Sequence, residues 1–152
     1  MTQPFDWDAP RPGEVLGMLP QTADAGLYFI GQIRTPYARR EDCPHQGDFD
    51  GPECRIEVLA AYQPALLGLE KRAYVQVLYF MHKARRDILV QTKRGSGEAF
   101  GTFALRSPVR PNPIASSIVK LERIEGATLI VRGLDCLDGT PLIDLKPWRG
   151  PI

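Results

Sequence analysis

The sequence predicts a small, mainly β protein, a sandwich or barrel of short strands carrying long functional loops. Three observations carry this. Short runs rich in branched and aromatic residues recur along the chain, separated by Gly, Pro and Asp turn signals. Ten-residue stretches with the amphipathic period of a helix are almost lacking. The chain of 152 residues, 43% hydrophobic and 24% charged, is the size and composition of one globular domain.

The elements follow in order. Residues 1–26 hold prolines at 4, 10, 12 and 20 with no apolar period and read as an irregular N-terminal arm, leaving 27–152 as the folded domain. Leu27–Ile33 is β-rich and stopped by Thr35-Pro36, a first strand. Residues 36–53 are a long, proline-broken polar loop, of a length that is usually functional or disordered. Arg55–Leu59 alternates as a strand, Pro64–Glu70 is one or two helical turns, and the apolar run Tyr74–Met81 reads as a central strand buried on both faces. Ile88–Thr92 and Gly101–Leu105 are strands bracketing a glycine-bearing connection. Ile118–Ile124 and Thr128–Val131 form a hairpin through Glu125-Gly126, and Leu142–Lys146 alternates as the last strand, with Asp144 and Lys146 on one face as a supporting pair.

Composition excludes several classes. No run approaches the eighteen or so apolar residues of a membrane span, and the first residues lack the basic and apolar regions of a secretory signal, so a cytoplasmic location is expected. Cys43, Cys54 and Cys136 are an odd set without a Cys-x-x-Cys pair, and His45 and His82 show no zinc spacing with them, so neither a disulfide framework nor a metal is expected. Gly95-Ser-Gly97 with Gly101 lies between strands and opens no helix, which excludes a dinucleotide-binding turn.

Charge is unevenly placed. Between Lys71 and Arg94 seven basic residues face the single acid Asp87, whereas residues 1–60 carry ten acids and five bases. A basic cluster of this kind suits phosphate contacts, with Arg85, Arg86, Lys93 and Arg94 as candidates; a solvated loop rim is the equal alternative.

The most informative segment is Arg106-Ser-Pro-Val-Arg-Pro-Asn-Pro-Ile114. Three prolines in six residues fix three φ angles and remove three donors, which makes a stiff loop carrying two guanidiniums, a hydroxyl and a carboxamide. Downstream lies Leu137-Asp-Gly-Thr-Pro-Leu-Ile-Asp-Leu-Lys-Pro147, where Asp138-Gly139 alone reads as a turn.

These blocks resemble the TrmO family, also called YaeB- or TsaA-like, whose pattern runs T-R-S-x-x-R-P-N-P-I-G-x-S and then L-D-G-T-P-x-x-D-I-K-P-Y. Ile30–Ile33, Thr35–Tyr37, Pro44-His-Gln46, Gly68-Leu-Glu70 and Phe80-Met-His82 extend the resemblance over about residues 28–148. Position 45 is His where the family has Arg, and position 115 is Ala where it usually has Gly.

The resemblance selects the barrel and implies a homodimeric S-adenosylmethionine-dependent methyltransferase acting on N6 of a threonylcarbamoylated adenosine beside the tRNA anticodon. It implies cofactor contacts from Pro44, His45, Gln46, His82, Lys83, Arg106, Asn112, Ser116, Asp135, Leu137, Asp138 and Gly139, and a substrate or RNA contact from Arg110. A guanidinium fork suits a carboxylate or phosphate. Proton removal from the acceptor nitrogen falls either to a protein carboxylate such as Asp138 or to the substrate itself. Two other classes compete: a cofactor-binding module without catalysis, and an RNA-binding barrel using Tyr74 and Tyr79 as stacking faces.

Overall fold

A computed structural model describes Asp6 and residues 8–152. Nine strands are present among them: β1 (Val15–Leu16), β2 (Gly31–Arg34), β3 (Cys54–Val58), β4 (Tyr74–Phe80), β5 (Ile88–Thr92), β6 (Ala99–Gly101), β7 (Ile114–Glu125), β8 (Thr128–Arg132) and β9 (Thr140–Pro147). The helical pieces are 3-10 turns at Arg40–Asp42, Ala60–Leu66, Leu69–Lys71 and Thr102–Ala104.

The chain forms two compact units. One contains residues 26–82 and 114–152, the other residues 1–25 and 83–113. The first is a closed antiparallel barrel in the order β2-β3-β8-β7-β4-β9, which confirms the expected fold class. Closure leaves no unpaired sheet edge. The second is a three-stranded sheet in the order β1-β5-β6. Its larger segment is inserted between β4 and β7, which pair antiparallel with Phe80 opposite Ile114.

The barrel interior is built by alternation. Along β4, Val75, Val77 and Tyr79 are buried while Tyr74, Gln76, Leu78 and Phe80 are half-buried. They join Ile33, Ile56, Val119, Leu129, Val131 and Leu142 in one core. Each fully buried aliphatic side chain contributes about 1.5–3 kcal/mol of transfer free energy. The expectation that Tyr74–Met81 is buried on both faces is therefore corrected: this continuous apolar run belongs to a single-layer barrel whose outer face is only partly covered. Tyr79 is 2% exposed and offers no face to a nucleobase, and the Tyr74 ring packs tilted against Phe49, with centroids 5.4 Å apart.

Several boundaries differ from expectation, among them β7, which begins four residues before the expected Ile118, and β6, which takes Ala99 and Phe100 from the expected connection. The first barrel strand begins at Gly31, where a side chain would meet the Glu57 carbonyl at 2.1 Å, and Leu27–Phe29 stay outside it and exposed. Gly101–Leu105 is mostly the 3-10 turn Thr102–Ala104, whose Thr102 hydroxyl donates to the Ile88 carbonyl at 2.7 Å. Within residues 8–26, Val15 and Leu16 pair with β5. Glu14 anchors that segment: its carboxylate accepts the Thr92 amide at 3.0 Å and the Arg11 amide at 2.7 Å. Burial raises the Glu14 pKa, but these bonds outweigh it and hold the carboxyl below its usual range.

The Asp144–Lys146 pair forms as expected, at 3.0 Å, but both side chains are about half exposed. An ion pair in that setting contributes little to stability.

Candidate functional site

On the barrel unit, the loop after β8 is fixed by the end of β2. The Asp138 amide donates to the Tyr37 carbonyl and the Gly139 amide to the Ile33 carbonyl, both at 2.8 Å. The Thr35 hydroxyl donates to the Cys136 carbonyl at 2.8 Å. The Thr140 hydroxyl and amide both donate to the Leu137 carbonyl, closing a β-turn with Gly139 at φ +79°. A side chain at that φ is strained, which explains the glycine. The turn reading of Asp138-Gly139 is thus met.

Two aspartates three residues apart are held differently. Asp138 is exposed, accepts the Thr35 amide at 3.1 Å and lies 3.6 Å from the Arg34 guanidinium. Arg34 in turn donates to Glu57 at 2.9 Å. Asp135 is half-buried, and its carboxylate accepts the Tyr79 hydroxyl at 3.0 Å. Burial pushes the Asp135 pKa up; the Tyr79 and backbone hydrogen bonds pull the other way without overcoming it. Tyr79 itself is raised by burial and by the Asp135 charge.

The long loop Tyr37–Glu53 meets the same place. Gly47 packs so closely on Gly133 that a side chain would reach 1.8 Å from the Gly133 carbonyl, and Gly133 itself has φ +109°. Cys43 is close enough to feel the Asp135 charge, which adds to burial in raising its pKa. Pro44, His45 and Gln46 lie between these contacts and are exposed. Burial also raises the thiols of Cys54, to about 11, and Cys136, to about 12, so both are unreactive at neutral pH.

Ser116 lies on β7 opposite Leu78 and accepts the Gln76 carboxamide at 3.0 Å. His82 ends the barrel's β4 side, exposed, with its amide on the Phe80 carbonyl at 2.8 Å. On this unit the structure brings together the 43–47 and 133–139 loops. Sequence reasoning missed Gly47, Gly133, Thr35 and Tyr37 as the scaffold that joins them; Thr35–Tyr37 stood in the resemblance without a role.

On the other unit, Lys83 and Arg106 are exposed. Arg110 donates to the Leu105 and Ser107 carbonyls at 3.0 and 2.9 Å. Arg86 donates to the Pro111 carbonyl at 2.6 Å and to the Asn112 carboxamide at 3.3 Å. Arg85 pairs with Asp87 and donates to the Asp8 carbonyl. Arg85 and Arg86, expected at phosphates, and Arg110, expected at substrate or RNA, therefore each hold the unit's own backbone. Lys93 and Arg94 line an open depression of about 400 Å³ with Arg11, Pro12, Thr92, Gly95 and Gly97. Among the described residues, no group of three His, Cys, Asp or Glu is placed to hold a metal ion, and no helix is long and apolar enough to cross a membrane.

A closed six-stranded antiparallel barrel, with the 43–47 and 133–139 loops joined beside the end of β2, defines a compact β-barrel domain. Residues 32–151 match the family model of the tRNA-methyltransferase O N-terminal domain, and the chain belongs to that family. It is 50% identical over 139 residues to a probable S-adenosyl-L-methionine-binding protein, VirR, of Rhizobium radiobacter, covering 91% of this chain and 79% of that one. It is 40% identical over 87 residues to a tRNA (adenine(37)-N6)-methyltransferase of Mus musculus, covering 55% of this chain and 20% of that one. A crystal structure of TrmO superimposes with a TM-score of 0.69 at 33% identity, covering 84% of this chain and 58% of that chain.

Proposed function

We propose that this protein binds S-adenosylmethionine and transfers its methyl group to N6 of a threonylcarbamoylated adenosine beside the anticodon of tRNA. The observation that carries the reading is the junction of the 43–47 and 133–139 loops, where one exposed and one half-buried carboxylate lie three residues apart in a family of tRNA methyltransferases. Support also comes from the names of the relatives in Rhizobium radiobacter and Mus musculus.

The residue chemistry fits a nucleoside bearing a sulfonium. Asp135 and Asp138 supply acceptors for ribose hydroxyls or an ammonium, and Leu137 and Gly139 supply loop backbone. Pro44, His45, Gln46, His82 and Ser116 are the further cofactor contacts proposed on the barrel unit, and Lys83, Arg106 and Asn112 on the other. S-adenosylmethionine brings an already activated methyl group, so these residues need mainly to bind, orient and exclude water. The acceptor N6 is conjugated to a carbonyl and weakly nucleophilic. Proton removal from N6 by a carboxylate assists it, a role proposed for Asp138, which Arg34 and the Thr35 amide hold in place.

For tRNA, the depression with Arg11, Lys93 and Arg94 is the part of the basic cluster best suited to phosphate. Arg85, Arg86 and Arg110 act in this reading by shaping the loops that present it. We further propose a cytoplasmic homodimer, to which exposed apolar side chains such as Tyr28 and Leu67 lend support.

The test is incubation with labelled S-adenosylmethionine and total tRNA, followed by nucleoside analysis. Label in a methylated threonylcarbamoyladenosine is the expected result. Binding of the cofactor without transfer identifies a binding module and overturns the enzyme reading; RNA retention without cofactor binding overturns both.

A further inference from the structure

Tyr79 is an expensive residue for its place. It occupies an inward position of β4, 2% exposed, where a phenylalanine would fill the same volume without burying a hydroxyl. That hydroxyl is satisfied by two partners from two other elements: Ser117 Oγ of β7 at 2.8 Å and Asp135 Oδ1 of the loop after β8 at 3.0 Å. A phenol has one proton. With Tyr79 donating to the Asp135 carboxylate, Ser117 must donate to the phenol oxygen, so the hydrogen bonds run one way, from Ser117 through Tyr79 to Asp135. Chains of this kind polarise each member.

We propose that Ser117 and Tyr79 are positioning residues, a buried hydroxyl relay that fixes the Asp135 carboxylate as the acceptor for a hydrogen-bond donor of the bound cofactor. The inference rests on the cofactor reading above. Tyr79 touches no ligand in this scheme; it sets the orientation and charge state of the group that does. The titratable groups facing Asp135 are Tyr37, Cys43, Tyr79 and Cys136, from the end of β2, the long loop, β4 and its own loop. All are neutral near pH 7, so the relay, together with a backbone hydrogen bond, is what favours the ionised carboxylate against the cost of burial.

The sign follows. Burial raises the Asp135 pKa, and Tyr79 opposes that rise, so removing the phenol hydroxyl moves the pKa further up. If the ligand needs the ionised form, its affinity falls as pH drops through that pKa, and in Tyr79→Phe the fall begins at higher pH.

The experiment is calorimetric titration with S-adenosylhomocysteine across about pH 5 to 8. In Tyr79→Phe we expect affinity at neutral pH to fall roughly three- to tenfold, with the pH midpoint displaced upward. Ser117→Ala gives the same displacement, smaller, and Ser117→Thr, which keeps the hydroxyl, restores wild-type behaviour. A lower melting temperature with unchanged affinity and midpoint in both Tyr79→Phe and Ser117→Ala means a merely structural hydroxyl and overturns the relay alone. Wild-type protein that binds no S-adenosylhomocysteine overturns the relay and the cofactor reading together.

Discussion

The loop at 135–139 and the loop at 106–113 are both polar and both precede a strand, yet they are stabilised by opposite means. The first is held from outside, by Ile33, Arg34, Thr35 and Tyr37 of the β2 end and by Tyr79 of β4. The second is held from within: Arg110 spans the Leu105 and Ser107 carbonyls, and Arg86 takes the Pro111 carbonyl. Prolines at 108, 111 and 113 explain the difference, since they remove amide donors while leaving every carbonyl, and the neighbouring guanidiniums supply what is missing. An arginine in a proline-rich loop is thus ambiguous between ligand contact and bracing, while an aspartate in a loop stitched to neighbouring strands is placed for either latch or site.

The sharpest way to break the externally held loop is Gly47→Ala. The added methyl would stand 1.8 Å from the Gly133 carbonyl oxygen and 2.3 Å from its carbon, backbone atoms with no flexible side chain to yield. We expect a loss of about 2–3 kcal/mol, read as a melting temperature lowered by roughly 5–10 °C, together with weaker S-adenosylhomocysteine binding. An unchanged melt would show that the 43–47 loop does not rest on Gly133 in solution.

For the internally held loop, Arg110→Ala is the corresponding test. Two carbonyls lose a charged donor, at a cost of about 1–2 kcal/mol after discounting for partial exposure. Because the damage is local, hydrogen exchange should quicken at the Leu105 and Val109 amides, which bond within this segment, with little change in barrel strands. Protection unchanged at both amides would free Arg110 for a ligand role.

How much of this was legible in the sequence follows the same division. Strand β5 matches its expected bounds, and β4 differs by one residue, because runs of branched and aromatic residues between turn signals specify them locally. Gly101–Leu105 failed because the Thr102 hydroxyl, through its bond to the Ile88 carbonyl, favours a 3-10 turn that no local pattern announces. Gly47 lies unmarked in the polar loop 36–53; its close approach to Gly133 is a contact across more than eighty residues. The motif residues of the site were visible only through family resemblance, and their partners Thr35, Tyr37, Tyr79 and Ser117 belong to elements that the fold alone brings near.

Asp138 separates latch from chemistry. Asp138→Asn keeps a neutral acceptor for the Thr35 amide and loses only the exposed attraction to Arg34, so stability should change by less than about 0.5 kcal/mol. A stable Asn variant that binds S-adenosylhomocysteine normally but transfers methyl groups at least tenfold more slowly assigns Asp138 to proton removal. Full transfer activity leaves it as a latch.

The smallest effect concerns the basic residues of the second unit, and it extends the same contrast between bracing and contact. Lys93 and Arg94 line the depression with Arg11, and the Lys93 pair with Glu98 is long, at 4.0 Å, and exposed, whereas Arg85 makes two hydrogen bonds to a half-buried Asp87 and one to the Asp8 carbonyl. Each phosphate neutralised adds about 0.7–0.9 to the slope of log K against log salt. The double variant Lys93→Ala, Arg94→Ala should therefore flatten the salt dependence of tRNA binding by roughly one to two units, measured by filter binding or fluorescence anisotropy over a salt series. Arg85→Ala should flatten it by well under one unit, because its guanidinium is held closely by the half-buried Asp87, and should instead loosen the segment around Asp8. Equal slopes for both variants and wild type would remove this unit from the tRNA surface, and a larger change in Arg85→Ala would show that the Asp87 pair opens on binding RNA.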